Sequence, residues 1–337
     1  MGCNCSKNNN EYLLEMLNDT KENISNNESD LKTPNFENKV INYEEEKQKL
    51  IEKLSLKGNF SNENIKLILE NINDKVNSME IPNNVLEKNV NENIINLPLI
   101  KMNDGEIYEG NWNLDGEKEG FGISIYNNKK IYKGFWKKGK FDNYGILFNN
   151  KNNYYKGQFV EGFAKGKGEL LINNKIKYIS EFDNNLPNGN GEIIYLEDEI
   201  NYIGNIVNGI KDGFGKLKFK DGTIYEGEFK DDKYNGKGKI IYSDNSEYEG
   251  EFHNNLKDGK GIFKWDDGKI FEGEFKNDKK HGKGKFIFKE NIFYEGYWIN
   301  DLAHGKGLYN IIGKKFTGIF KYGRMIIEKN DETLEEK

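Results

Sequence analysis

The sequence predicts an all-β repeat array, an elongated and twisted single-layer antiparallel sheet, preceded by a partly disordered and partly helical region. The chain of 337 residues has 37 Gly, only 4 Pro and 13% aromatic residues. This composition suits a thin sheet that buries rings against glycine backbone, in place of a thick aliphatic core. From Tyr108 onward, an aromatic residue followed two positions later by Gly recurs about every 23 residues, as in a repeat architecture.

The first element, residues 1–7, reads Met-Gly-Cys-Asn-Cys-Ser-Lys and fits the N-myristoylation pattern, with Gly2 as acceptor and Ser6 as the recognition residue. One myristoyl chain binds a membrane only marginally, at roughly 10⁴ M⁻¹. Cys3 and Cys5, the only cysteines of the chain, can supply the second signal by S-acylation. The alternatives are an unmodified, disordered tail and a two-cysteine metal site, which lacks further ligands nearby.

The second element, residues 8–96, is an Asn-rich linker with two candidate helices, 43–57 and 62–79. In the second helix, six apolar residues from Ile65 to Met79 fall on one face, and Ser61 stands at the N-cap position. An apolar helix face of this kind is expected to be buried against another surface. It packs on the chain's own repeats, binds a partner or a second copy, or lies on a membrane.

The third element, residues 97–322, is the array, followed by a charged C-terminal tail over residues 323–337. Residues 97–107 look like the second half of a preceding repeat, with a turn at Asp104-Gly105. About nine full repeats and two partial caps follow from the register. The repeats start at Tyr108, Tyr132, Tyr155, Tyr178, Tyr202, Tyr225, Tyr248, Phe271 and Tyr294, and Phe316 opens a truncated unit.

Each repeat reads as a β-hairpin. Tyr225-Glu-Gly-Glu-Phe229 alternates ring, charge, glycine, charge and ring, and Gly236-Lys-Gly238 opens a second alternating strand after a polar turn. Glycines recur at the third, twelfth and fourteenth residues of each repeat, which predicts rings lying flat over them. Ser180 and Asn143 replace two of these glycines, so the repeats that start at Tyr132 and Tyr178 are expected to be the least regular.

These residues resemble the MORN (membrane occupation and recognition nexus) repeat, over some two thirds of the chain. The resemblance implies an antiparallel sheet curled into a half-pipe. It also implies the behaviour of the family, whose members act as membrane-associated scaffolds and in some cases dimerise. Some members carry a catalytic domain beside the repeats, and this sequence has no residues left for one, so we expect no enzyme and no cofactor.

Charge and motif content exclude several classes of function. Residues 1–100 hold 11 Lys and 17 Asp or Glu, so the net charge of −6 lies in that segment and the array is neutral. A basic footprint for nucleic acid is therefore absent. No secretory signal or membrane-spanning apolar run is expected. His281 and His304 occupy equivalent loop positions, where solvated side chains are the first interpretation and a zinc shared between chains is the alternative.

We therefore expect a non-catalytic scaffold that is held by acyl chains on the cytoplasmic face of a membrane and binds protein partners in the groove of the sheet. The expected partner is an amphipathic helix, and a homodimer is a further expectation. The residues predicted to line the groove are Tyr225, Phe229, Tyr248, Phe252, Phe271 and Phe275. Packing within the sheet is the competing role for the same rings.

Two other functions stay open. Exposed lysines such as Lys237, Lys260 and Lys283 could contact phospholipid headgroups directly, although a neutral array disfavours this. The chain could also be a regulatory subunit of a membrane-associated signalling enzyme. Dual acylation predicts the plasma membrane, or the inner membrane complex beneath it by analogy with apicomplexan-type parasites, whose sequences share the Asn-rich bias.

Overall fold

The computed structural model describes residues 48–50, 58–60, 94–128, 130–149 and 153–330, which fall into two compact units, one ending at Gly189 and the other beginning at Asn190. Residues 48–50 are helical, inside the predicted helix 43–57, and Leu50 is buried. The predicted helix 62–79 and the acylation motif lie outside the described residues. No helix among the described residues is long and apolar enough to cross a membrane.

The described part of the N-terminal unit is antiparallel β-sheet in which each strand pairs with the next along the chain. Its strands are β1 (Gly58–Phe60), β2 (Ile95–Met102), β3 (Ile107–Trp112), β4 (Lys118–Ile125), β5 (Ile131–Lys137), β6 (Lys140–Phe148), β7 (Tyr154–Val160), β8 (Phe163–Ile172) and β9 (Ile176–Asp183). The boundary between the units lies within β10 (Leu186–Tyr195).

The C-terminal unit is also an antiparallel meander, in which each strand after β10 pairs with the next one along the chain. Its further strands are β11 (Ile200–Val207), β12 (Ile210–Lys218), β13 (Ile224–Lys230), β14 (Lys233–Ile241), β15 (Glu247–His253), β16 (Leu256–Lys264), β17 (Ile270–Lys276), β18 (Lys279–Lys289), β19 (Ile292–Ile299), β20 (Leu302–Ile311), β21 (Lys314–Lys321) and β22 (Arg324–Asn330). The predicted antiparallel repeat sheet is confirmed, with one hairpin in each repeat.

The first turn of a repeat is a two-residue turn. Asp231 and Asp232 both have positive φ, of 49° and 65°, as a type I′ turn requires. Asn or Asp pairs with the same dihedral pattern stand at the equivalent place in several repeats, because their short polar side chains tolerate the left-handed region. This turn matches the right-handed twist of its two strands.

The second turn has a different geometry from the one that its Asp-Gly sequence suggested. Gly222 alone has positive φ, of 91°, and its N–H donates to the Phe219 carbonyl at 3.1 Å. Asp221 accepts a hydrogen bond from the Thr223 N–H at 2.8 Å. The loop is therefore a type I turn followed by a left-handed glycine, rather than a tight two-residue turn.

Rings and glycines share one face of each strand, which we call the ring face. A Cβ added to Gly227 or Gly238 would come within 2.7 or 2.5 Å of the Tyr225 hydroxyl, so the Tyr225 ring occupies the space over both glycines. The Tyr225 hydroxyl donates to the Glu228 carbonyl at 2.8 Å. The core of both units lies on the ring face, where the first ring of each repeat is buried.

The glycine at the twelfth residue of a repeat, such as Gly236, does not lie under a ring, and the expectation that it does is wrong. A Cβ added there would meet the Glu228 carboxylate on the opposite face. Gly236 has φ of 91° beside an irregularity in the pairing of β13 with β14, so a backbone bulge requires it. Asn143 replaces this glycine with φ of 55°, which keeps the bulge in the repeat that starts at Tyr132.

The sheet extends beyond residue 322, where the repeat pattern fades. Strand β22 pairs with β21 from Phe316 opposite Asn330 to Lys321 opposite Arg324. This strand lacks the paired glycines by which the repeat was recognised, and its place in the sheet comes from a turn at Tyr322 and Gly323, which both have positive φ.

Candidate functional site

The face opposite the ring face carries a groove in the C-terminal unit, with a volume of about 1170 Å³. The backbone of the paired glycines forms its floor. The residues on either side of each glycine point to this face and form the walls. The charged residues that line it are Glu226, Lys237, Lys239, Glu249, Glu251, Lys260, Glu272, Glu274, Lys283, Lys285 and Glu295. Six acidic and five basic residues make this lining nearly neutral.

The first row of side chains on this face crosses eight strands, from β12 to β19, and alternates in charge except at Ile262. Each residue of the row pairs with the one on the next strand, in the order Lys216, Glu226, Lys239, Glu249, Ile262, Glu272, Lys285 and Glu295. Lys216 forms an ion pair with Glu226 at 3.3 Å. Opposite charges on facing positions stabilise such a row, and both residues of this pair are more than half exposed, so the contribution of each pair is small.

The second row consists of facing pairs on the other side of the glycines. Lys237 faces Glu251, Lys260 faces Glu274, and in the next repeat Lys283 faces Tyr297. The Glu228 carboxylate also accepts a hydrogen bond from the Lys237 N–H at 3.0 Å beside the bulge. The lysines that the phospholipid hypothesis singled out therefore stand mostly opposite carboxylates.

Three large apolar side chains interrupt this charged lining and are exposed to solvent. Phe214 at one end of the groove is 62% exposed, Ile262 near its middle is 38% exposed, and Tyr297 at the other end is 47% exposed. They lie on β12, β16 and β19. The groove thus combines three separated apolar contacts with charges of both signs, which suits a partner surface of mixed character.

The six rings predicted to line the groove lie on the ring face instead, with exposed fractions between 0 and 5%. Tyr225 contacts Phe229 edge-on at 5.1 Å, and Tyr248 contacts Phe275 edge-on at 5.0 Å. These rings pack the array. Tyr225, Tyr248 and Phe271 fill the space over paired glycines, and Phe229, Phe252 and Phe275 pack edge-on against them. A contact of the rings with a partner stays a prediction.

The two histidines singled out from the sequence lie on the groove face. His281 faces Glu274, and His304 faces Tyr297, in the pairing of their strands. The His304 ring also contacts the Tyr322 ring, with centroids 5.1 Å apart. Among the described residues, no group of three or more His, Cys, Asp or Glu side chains is arranged to hold a metal ion.

One position of the ring face escaped the sequence reasoning. The residue that pairs with the second ring of a repeat, which we call the cover position, lies against the first ring. Phe141 and Tyr234 at this position stack on Tyr132 and Tyr225, with centroids 3.8 and 3.7 Å apart. The residue type at this position varies from repeat to repeat, so the constant spacing of rings and glycines does not predict it.

In other repeats the cover position is a buried lysine. Lys211 forms an ion pair with Asp232 at 2.8 Å, and the Lys211 ammonium also donates to the Tyr195 hydroxyl at 3.0 Å. Burial alone would lower the pKa of Lys211, but the Tyr195 hydroxyl and the Asp232 carboxylate raise it above the ordinary value. Burial lowers the pKa of Lys118, despite its contact with Glu106. A cation is thus held among rings on the ring face.

Comparison with known proteins identifies the repeat. The family model of the MORN repeat matches residues 108–130, 132–152, 155–175, 178–195, 202–224, 225–247, 248–270, 271–291 and 294–310, in the register deduced above. No curated protein is significantly similar to the chain in sequence. The TCP domain of SAS-4 (dCPAP) of Drosophila melanogaster, solved in complex with a proline-rich motif of Ana2 (dSTIL), matches at 10% identity and a TM-score of 0.26, over 53% of this chain and 85% of that one.

Proposed function

Because the chain belongs to the MORN-repeat family, we propose that it is a non-catalytic scaffold that holds a protein partner in the groove of the C-terminal unit. The observation that carries this proposal is the groove itself, about 1170 Å³ in volume and lined by both charge signs and exposed apolar side chains.

A helix suits this groove better than an extended segment. The N–H and C=O groups of the strands beneath the groove are engaged in pairing with their neighbours, so the face offers no strand edge for β-augmentation. An extended partner would leave its own backbone groups unpaired against the sheet, whereas a helix satisfies them internally. The partner we propose is therefore an amphipathic helix.

The exposed apolar residues set the length of that helix. Phe214 on β12 and Tyr297 on β19 are separated by seven strand steps. At about 4.8 Å per step, a partner that touches both spans about 34 Å, or about 22 helical residues. Ile262 lies between them, so the helix needs an apolar residue near its middle and mixed charges elsewhere on the facing side.

Proximity labelling in cells tests the groove, with the chain fused to a biotin ligase. Ile262→Glu places a charge in the middle of the groove, and Leu256→Glu places the same charge at the start of the same strand, outside the groove lining. Leu256 and Ile262 are both 38% exposed, so the two variants are matched in exposure. We expect a labelled partner to be lost with Ile262→Glu and kept with Leu256→Glu. Equal labelling with both variants would overturn the groove proposal.

We further propose that myristoylation of Gly2 and S-acylation of Cys3 and Cys5 hold the scaffold on the cytoplasmic face of the plasma membrane or the inner membrane complex. Gly2→Ala removes the myristoyl acceptor and is expected to move the protein from the membrane fraction to the supernatant. Replacing both cysteines by Ser while keeping Gly2 should give weak, salt-independent association. Membrane residence of Gly2→Ala would sink the tethering proposal.

Direct phospholipid binding through the groove lysines is disfavoured, because the groove lining carries five lysines against six glutamates. A regulatory subunit of a signalling enzyme would use the same groove, so the identity of the labelled partner decides between that role and a general scaffold.

A further inference from the structure

The cover position of two adjacent repeats holds a lysine inside a box of aromatic rings. The Lys257 ammonium lies 5.2–5.8 Å from the centroids of Tyr242, Tyr248 and Phe263. The Lys280 ammonium lies 5.3–5.9 Å from four rings. These are Trp265, Phe271, Phe286 and Trp298. Each lysine also reaches a carboxylate in the first turn of the next repeat, Asp278 at 3.7 Å and Asp301 at 3.5 Å.

The last full repeat has the box without the lysine and without the carboxylate. Ala303 faces Trp298 as Lys280 faces Phe275, so Ala303 occupies the cover position. The Gly323 N–H donates to the Ala303 carbonyl at 2.8 Å, as the Asp301 N–H does to Lys280 at 3.0 Å. Gly323 therefore stands where the neighbouring repeats have Asp278 and Asp301.

The four rings of this box are present in equivalent places. Phe288, Tyr294, Tyr309 and Phe320 correspond to the four rings around Lys280 and follow them by about one repeat. Phe288 lies 5.9 Å from Tyr309, and Tyr294 lies 4.9 Å from Phe320, between ring centroids. Phe288 is 38% exposed and Ala303 is partly exposed, so this box opens to solvent, whereas the equivalent Ala164 is fully buried.

We propose that this box, formed by Phe288, Tyr294, Tyr309 and Phe320 over Ala303, binds a quaternary ammonium group from outside the chain. Aromatic rings attract a cation placed over their faces, and the neighbouring boxes hold one in the same geometry. A primary ammonium has three N–H donors that need acceptors. In the two preceding repeats, Asp278 and Asp301 supply an acceptor to Lys257 and Lys280. With Gly323 in place of the carboxylate, a cation without donors is the better fit.

The surroundings of the box point to the choline headgroup of a lipid as the source of that group. Large apolar side chains flank both of its ends and are exposed. Leu302 at the start of β20 and Tyr322 in the turn before β22 are 45% and 61% exposed. Ile311 at the end of β20 and Ile312 in the turn after it are 42% and 76% exposed. Aromatic and aliphatic side chains around a headgroup site are typical of contact with a membrane interface. This contact is independent of the acyl chains proposed above.

The test uses the full chain carrying Gly2→Ala, which removes the myristoyl acceptor. Saturation-transfer NMR with tetramethylammonium, and with ammonium as the matched ion, measures the box alone. Sedimentation with vesicles of phosphatidylcholine, and of phosphatidylethanolamine as the matched primary ammonium, measures the lipid. Ala303→Lys combined with Gly323→Asp rebuilds the occupied box of the neighbouring repeats, and Gly323 has φ of 83°, close to the 70° of Asp301. Lys218→Ala, at an exposed position of β12 outside both the groove lining and the box, is the control.

We expect saturation transfer from the protein to tetramethylammonium. We also expect the affinity for phosphatidylcholine vesicles to be at least about tenfold higher than that for phosphatidylethanolamine vesicles. The protein with the rebuilt box should bind neither tetramethylammonium nor phosphatidylcholine, with an unchanged or higher melting temperature. Lys218→Ala should keep binding to both. Absence of tetramethylammonium transfer would overturn the proposal. The proposal would also be overturned if the protein with the rebuilt box bound tetramethylammonium as well as the protein with the natural box does. Binding of a trimethyl-lysine peptide without binding to phosphatidylcholine would overturn the lipid source and assign the box to a methylated protein.

Discussion

Glycines perform two different tasks within one repeat of this sheet. Gly238 has an ordinary backbone conformation, and its missing side chain gives room to the Tyr225 ring. Gly236, two residues earlier, has φ of 91° at the bulge, and the opposite face there is occupied by the Glu228 carboxylate. The first task needs the absence of a Cβ, and the second needs a left-handed conformation.

Substitutions at these two glycines should therefore differ in kind. Gly238→Ala puts a Cβ 2.5 Å from the Tyr225 hydroxyl, and we expect a loss of about 1–3 kcal/mol in the free energy of unfolding. Gly236→Asn should be tolerated within about 1 kcal/mol, because Asn143 already adopts this conformation at the equivalent place. Urea unfolding of both variants checks this, and equal losses would contradict the division of tasks.

The cover residue and the first turn of the next repeat are matched at several positions. Where the cover residue is Lys211, Lys257 or Lys280, that turn supplies Asp232, Asp278 or Asp301. Where the cover residue is Ala303, the turn supplies Gly323, and where it is Tyr234, the turn supplies Asn255. At Lys118 the turn supplies Gly139, and the carboxylate comes from Glu106 instead. A lysine among these rings thus comes with its own carboxylate, as a buried charge requires.

Removing one partner of the Lys211–Asp232 ion pair should destabilise the array more than removing both partners. The two side chains are only 8% and 17% exposed, so Lys211→Ala leaves a buried carboxylate, and we expect a loss of about 3–5 kcal/mol. The double variant with Asp232→Gly copies the natural Ala303 and Gly323 combination and should recover part of that loss. A double-mutant cycle by urea unfolding measures the coupling, and additive losses would contradict it.

At the scale of the hairpin, the first turn also joins consecutive repeats. The Asn255 N–H donates to the Tyr234 carbonyl at 3.0 Å, and the Asn255 side-chain oxygen accepts from the Tyr234 N–H at 2.7 Å. Asp232, Asp278 and Asp301 make the same reciprocal pair with the repeat before them. Each turn is therefore held by the preceding hairpin, as expected of an array whose repeats contact mainly their neighbours.

Asn255→Gly isolates the side-chain half of this contact. Glycine accepts the φ of 70° at this position, so the turn itself keeps its shape, while the Tyr234 N–H loses its acceptor. We expect a loss of about 1–2 kcal/mol on urea unfolding, because the donor is left unpaired next to the sheet. Asn255→Asp keeps an acceptor and should lose much less. Equal effects of the two variants would mean that the contact contributes nothing.

Over the whole molecule, the register of the array was readable from the sequence because ring-on-glycine packing fixes residue types at constant spacing. The groove was not, since alternating Lys and Glu on a strand face looks like ordinary solvated surface. The six predicted groove rings are also strictly periodic, and periodicity alone does not distinguish packing from binding. Three of the cover lysines had one readable signal, an aspartate 21 residues after Lys211, Lys257 and Lys280, and Lys118 lacks it.

The row of buried tyrosines also gives the whole array a common response to alkaline pH. Burial, with nearby charges as lesser causes, raises the pKa of Tyr225 and Tyr248 above the ordinary value of 10.0, and burial raises that of Tyr294 to about 12. A raised pKa in the folded state means that the folded chain binds protons more tightly than the unfolded chain. The stability that these tyrosines contribute is therefore complete below pH 10 and is lost as the pH rises through the folded pKa values.

We expect tyrosine ionisation to leave the free energy of unfolding unchanged up to about pH 9. Above pH 10 the free energy of unfolding should fall, by up to about 1.4 kcal/mol per pH unit for each such tyrosine. Tyr225→Phe with Tyr248→Phe provides the matched control, because Phe271 already fills the same place over its glycines. Lysine deprotonation acts equally on both proteins, so the difference between their urea-unfolding profiles isolates the tyrosines. The double variant should lose less stability above pH 10, and parallel profiles would show that the buried hydroxyls do not control the alkaline limit of the array.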